Sequence, residues 1–162
     1  MRAFLIAATL AAGAASADPC TTGLWTADLD HMARTMAGMT GGEVRALGGD
    51  VRMTIADGGA FTITAADWQI EMAMPGIPPV SVAVDGASSG TLGFDGGRYT
   101  ADTYTIDVTG RGEVMGQTME VPVTSPTGLF AGAAGTYDCD GDTLTIRADG
   151  AEGMVQVWTR AE

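Results

Sequence analysis

Lysine is missing from this chain, and arginine supplies all 8 basic residues against 20 acidic ones, for a net charge of −12. A phosphate-binding face needs clustered cations, so this balance argues against nucleic acid and against anionic membrane surfaces as partners. Solubility is the bland consequence of the acidity, and capture of a cationic partner is the specific one. Histidine occurs once, at His31, so the repertoire of general bases is thin. Only two cysteines are present, and their spacing is not that of a redox-active C-x-x-C pair. Aromatics are few, at 6% of residues, and ten methionines share the apolar load with Leu, Ile and Val. No apolar run approaches the ~20 residues of a membrane-spanning helix.

What is present begins with MRAFLIAATLAAGAASA: one basic residue, an apolar run from Ala3 to Ala12, and small residues at Ala15-Ser16-Ala17. That is the layout of a secretory signal peptide over residues 1–17, with cleavage expected near Ala17-Asp18 and a periplasmic or secreted product. A lipid anchor at Cys20 is the rival, but Ala17-Asp18-Pro19 is a poor approach to a lipidated cysteine. Residues 18–162 suffice for one domain, burying about 68% of its unfolded surface. In an oxidising compartment Cys20 and Cys139 read as one disulfide. Closing a loop of about 120 residues, it would contribute about 4–5 kcal/mol in the chain-entropy account.

Asp-Gly recurs at Asp57-Gly58, Asp85-Gly86, Asp95-Gly96, Asp140-Gly141 and Asp149-Gly150, a repeated signal for tight hairpins. Between these pairs the apolar residues alternate. Val51, Met53 and Ile55 share a face, as do Phe61 and Ile63, then Trp68, Ile70, Met72 and Met74. Val80, Val82 and Val84 form another set, and Tyr104, Ile106 and Val108 a last one. The change from odd to even positions between Ile63 and Trp68 predicts a bulge near Ala65-Ala66. One stretch differs: Leu29, Met32, Ala33, Met36 and Met39 fall at helical spacing. A helix over about Asp30–Met39 is expected, capped by Asp28 or Asp30 and ended at Gly41-Gly42.

One short helix after a first strand at Leu24–Ala27, then seven to nine strands with short connections, describes an all-β antiparallel domain. An up-and-down barrel of about 8–10 strands closes such a meander most economically, with a two-sheet sandwich as the rival. In a closed meander the first and last strands pair, which brings Trp25, Arg160, Cys20 and Cys139 to one end. The tail TYDCDGDTLTIRADGAEGMVQVWTR would then fasten the barrel.

Gly23-Leu24-Trp25 is similar to the G-x-W signature that opens the first strand of lipocalins and their calycin relatives. In that family an arginine near the end of the last strand packs over the tryptophan, and Arg160 matches its position. The G-T-Y-x-C-x-G-D-T-L-T-I tail and the W-T-R ending also resemble those of small secreted bacterial proteins with a lipocalin-like domain. The resemblance implies a β-barrel closed by a Trp25–Arg160 stack, a contact of roughly 0.5–2 kcal/mol, and a ligand-carrying role.

Catalytic patterns are weak. Gly86-Ala87-Ser88-Ser89-Gly90 fits G-x-S-x-G, but Ser88 is expected after a hairpin turn and not on a strand-to-helix elbow. His31 is expected on the exposed side of the helix. Paired carboxylates for glycosidase chemistry would look the same as scattered surface acids. Asp138, Asp140 and Asp142 alternate as in a calcium loop, yet the sixth position is Thr143 and not glycine. Met72, Met74, Met115 and Met119 could be soft Cu(I) ligands, but methionine more often fills a core. No enzyme activity, cofactor or metal is therefore expected. The leading expectation is an exported barrel binding a small apolar ligand with Trp68, Met72, Met74 and Tyr104. The alternative is a non-catalytic module with a solid core. It would contact an envelope protein through loops at PGIPP, residues 75–79, and SPTGLFAG, residues 125–132.

Overall fold

The computed structural model describes residues 18–76, 78–114, 117–122, 134–150 and 155–162. The expected signal peptide and the SPTGLFAG loop lie outside the described residues. Four of the five Asp-Gly pairs sit at turns. Asp57-Gly58 joins β2 (Glu43–Ile55) to β3 (Ala60–Ala73), and Asp95-Gly96 joins β4 (Val80–Asp95) to β5 (Arg98–Val114). Asp140-Gly141 joins β7 (Ala134–Asp140) to β8 (Thr143–Ala148), and Asp149-Gly150 follows β8 directly.

The fifth pair departs from the sequence expectation. Asp85-Gly86 makes no turn and lies in the middle of the unbroken strand β4. Gly86 has φ +135°, and the Asp107 carbonyl oxygen of β5 lies 2.1 Å from where its Cβ would be. Glycine is needed here because a neighbouring backbone passes too close for a side chain.

Helix α1 spans Leu29–Thr40, and the Asp28 carboxylate accepts a hydrogen bond from the His31 N–H. Its other end is Gly41, whose N–H donates to the Ala37 carbonyl. Met32 and Ala33 are buried, with Leu29, Met36 and Ala37 half-buried beside them. The helix packs against β2 and β9 (Val155–Arg160).

All neighbouring strand pairs are antiparallel. Eight strands close in the order β1 (Gly23–Ala27), β2, β3, β4, β5, β7, β8, β9 and back to β1. The ninth, β6 (Gln117–Pro122), pairs along the second half of β5, at Thr109–Val114. β7 pairs with the first three residues of the same strand, Arg98–Thr100. The expected barrel is therefore present, and closure through β9 and β1 excludes the sandwich. Among the described residues no helix is long and apolar enough to cross a membrane.

The barrel is not uniform along its axis. β2, β3, β4 and β5 run to 13, 14, 16 and 17 residues, whereas β1, β7, β8 and β9 have only 5, 7, 6 and 6. The short strands complete a closed lower barrel, and the long ones rise beyond it as an open, curved lobe. At the junction the β2–β3 register shifts at Gly48, and the β3–β4 register skips from Ala65 to Trp68. Asp67 there has φ +46°. One extra residue in β3 moves the inward set from Phe61 and Ile63 to Trp68, Ile70 and Met72. Without it every later side chain of β3 would point to the wrong face.

Candidate functional site

The lower barrel is filled. Trp25, Val51, Met53, Ile55, Ile63, Leu92, Tyr99, Leu144, Ile146 and Trp158 are all fully buried. An interior occupied by such side chains has no room for a ligand. Its seam is the structural device of the molecule. Trp25 is directly opposite Arg160, whose guanidinium carbon lies 4.2 Å from the indole centroid. The same guanidinium donates to the carbonyls of Cys20 at 2.6 Å, Thr22 at 2.9 Å and Gly141 at 3.1 Å. Trp25 Nε1–H donates to the Thr21 carbonyl at 2.8 Å.

Gly23 explains the first letter of its motif. At φ +134°, a Cβ there would lie 2.7 Å from Arg160 Nη1, so the guanidinium occupies the space a side chain would take. The expected disulfide joins Cys20 to Cys139, with Cα atoms 6.1 Å apart, and locks the same end.

Sequence reasoning missed a neighbouring contact. Tyr137 Oη–H donates to Asp18 Oδ2 at 2.8 Å, while Asp18 Oδ1 accepts the Cys20 N–H at 2.9 Å. The Cys20 N–H first, and the Tyr137 hydroxyl second, hold the Asp18 carboxyl below its ordinary range. Burial and the adjacent carboxylate push the Tyr137 phenol up to about 12. No local sequence signal links residues so far apart.

The upper lobe is different. Its inner face, continued by alternation from Ile70, carries Val80, Val82 and Val84 on β4 and Ile106, Val108, Gly110 and Gly112 on β5. Met119 of β6 is opposite Gly112 on that face. Val44, Trp68 and Ile70 are buried, and Met72, Val80, Val82, Val84, Ile106 and Val108 are only half-buried. Towards the rim Met74 and Met119 are 42% and 53% exposed. The face is apolar apart from Gln117, opposite Val114 at the far end of β6, and its cover thins from the helix side towards β6.

Of the predicted ligand residues, Trp68 and Met72 come together on this face and Met74 lies at the end beyond it. The fourth, Tyr104, falls at the register shift of β4 against β5, and its side chain lies outside the described residues. Trp68 is 8% exposed, and its Nε1–H is buried with no acceptor among the described residues. An unsatisfied donor of this kind costs about 1–3 kcal/mol. An open depression of about 430 Å³ lies between helix and β2, lined by Arg34, Ala37, Gly42, Glu43, Val44 and Arg45.

Ser88 is opposite Ile63 within β4, far from any strand-to-helix elbow. His31 is half-buried and not exposed, and its Nε2 is buried without a partner among the described residues. The reason lies one turn along: Thr35 donates to the Val155 carbonyl at 3.2 Å, so this side of α1 faces β9. Asp138 and Asp140 are exposed on β7. Among the described residues no three His, Cys, Asp or Glu side chains are grouped to hold a metal ion.

Fold and site together define a closed eight-stranded antiparallel β-barrel with one short helix, a packed lower half and an apolar, half-covered upper lobe. Compared with protein-family models, curated proteins and solved structures, the chain matches none of them.

Proposed function

We propose that the protein is an exported, lipocalin-like barrel that takes a small apolar ligand on the inner face of its upper lobe. The observation that carries this reading is the run of half-buried Met72, Val80, Val82, Val84, Ile106 and Val108 above a solid floor. Each would gain about 25 cal/mol per Å² of apolar surface covered. The Trp68 indole N–H adds a chemical preference, because a ligand with one acceptor oxygen would relieve its missing bond. The G-x-W strand with Arg160 stacked on Trp25 supports the lipocalin-like assignment. The disulfide is compatible with export into an oxidising compartment.

The test is titration with N-phenyl-1-naphthylamine, a neutral apolar fluorophore, followed by its own emission and by quenching of Trp68. Saturable binding near micromolar, about −8 kcal/mol, is the expected result. Met72→Glu should abolish it while leaving a cooperative melt, because a carboxylate on this face is costly only once covered. Absence of saturable binding, together with collapse of the fold in Met72→Glu, would show that this face is core and not a binding surface.

A further inference from the structure

The open lobe ends at β6, and among the described residues the outer edge of β6 has no strand beside it. Such an edge offers a row of unpaired N–H and C=O groups to any extended chain. Exposed edges in soluble proteins are commonly blunted by charged side chains, lysine above all, by proline, by bulges or by inward charge, and β6 carries one charge, Glu120. Here Gln117 to Glu120 are exposed, Pro122 is confined to the strand's end, and the chain contains no lysine.

The two faces flanking this edge differ sharply. On the inner face Met119, Gly112 and Val82 succeed one another across β6, β5 and β4. On the outer face Glu120 is opposite Arg111, Glu113 is opposite Thr118, and Asp107 and Asp85 follow along β5 and β4. Arg111 is already held by Asp85, which also accepts the Asp67 N–H at 2.8 Å. That leaves Glu120, Glu113 and Asp107 as three further carboxylates beside one paired guanidinium, on a sheet whose other side is apolar apart from Gln117.

We propose that β6 is a strand-addition site for an extended polypeptide segment in which apolar and basic residues alternate. The segment's backbone pairs with the free edge of β6. Its apolar side chains extend the inner face beside Met119, and its basic side chains lie beside Glu120 and reach over Thr118 towards Glu113. Side chains alternate across a strand with period two, so one register satisfies both faces and a shift by one residue satisfies neither. A second copy of this chain is a poor occupant, because pairing β6 with β6 would bring the Glu120 carboxylates of two strongly acidic molecules together. The inference is independent of the small-ligand reading, since it uses the edge and outer face of β6 and not the interior of the lobe.

The experiment uses the whole protein and a synthetic eight-residue peptide of four Val-Arg repeats, with two versions N-methylated on alternate residues. The expected result is saturable binding with new amide-exchange protection on alternate residues of Gln117–Val121. One N-methylated version should fail to bind and the other should bind as the parent. Glu113→Lys with Glu120→Lys should weaken binding by at least about tenfold while leaving the melting temperature near the parent's. Three outcomes overturn the proposal. Equal binding of both N-methylated peptides would leave only non-specific charge attraction. Unchanged exchange in β6 would place the peptide elsewhere. Concentration-dependent protection of β6 without peptide, with a dimer mass, would make a second copy the occupant.

Discussion

The lower barrel and the upper lobe are built from the same four long strands, yet they solve opposite problems. Below the register shifts at Gly48 and Asp67, every strand has two neighbours and most inward residues are buried, with Ser88, Tyr137 and Cys139 half-buried. Above them, β1, β7, β8 and β9 are missing from the wall, and α1 and β6 stand at its margins. Apolar content does not distinguish the two regions, since both present Val, Ile, Met and Trp inward. Closure distinguishes them. A sheet face is covered only when the sheet curls back on itself or another element packs over it. The lesson is that one strand can belong to a closed core along half its length and to a half-covered face along the other.

Substitution should separate the two halves most strongly. Trp25→Ala removes a fully buried indole together with its stack on Arg160. A loss of about 3–5 kcal/mol is expected by chemical denaturation. Met72→Ala, at the equivalent inward position of the lobe, should cost only about 1–2 kcal/mol, and Met74→Ala under about 0.5 kcal/mol. Equal costs at Trp25 and Met72 would mean that the lobe is as well covered as the floor.

Reduction of Cys20–Cys139 sharpens the comparison, because the bond joins two elements of the closed end alone. Stability should fall by about 2–4 kcal/mol, with raised amide exchange in β1, β7 and β9. Binding of N-phenyl-1-naphthylamine per folded molecule should stay unchanged, since nothing in the lobe is tied to the bond. A parallel loss of probe binding would show that the two halves are coupled.

The smallest effect is a pH dependence confined to the closed end. Asp18 has a folded pKa depressed below its ordinary 3.8, so its contribution is present above that value and is lost as pH falls through the folded pKa. Tyr137 is raised from 10.0 to about 12, so its contribution is complete below 10 and is lost as pH climbs towards 12. Between these limits the Tyr137–Asp18 bond should contribute under about 1 kcal/mol once solvent screening is allowed for. In Asp18→Asn, melting curves collected from pH 2 to 5 should lose this acid-dependent increment. The parent's acid-limb slope persisting in the variant would assign it to other carboxylates.

Local chemistry determined much of this molecule in advance. The apolar alternation, four Asp-Gly turns and the Asp28-capped, Gly41-ended helix depend on contacts within a few residues, so they were readable from the chain itself. The bulge between Ile63 and Trp68 was readable too, because a change of parity in an alternating strand requires an extra residue. Asp85-Gly86 has the composition of a turn but forms none, because the same dipeptide also serves where a neighbouring backbone passes close. Only the position of Asp107 on β5 decides between the two uses. His31 was expected in solvent for a related reason, since a single helix's periodicity cannot show that a second element, β9, covers another of its faces. Trp68 and Met72 share one alternating face in the sequence, but their different burial follows from where the eight strands close. The edge position of β6 among the described strands, the pairing of Tyr137 with Asp18 and the filling of the lower interior likewise depend on residues far apart in the chain. Their placement is fixed by closure of the sheet, a long-range event that no local pattern encodes.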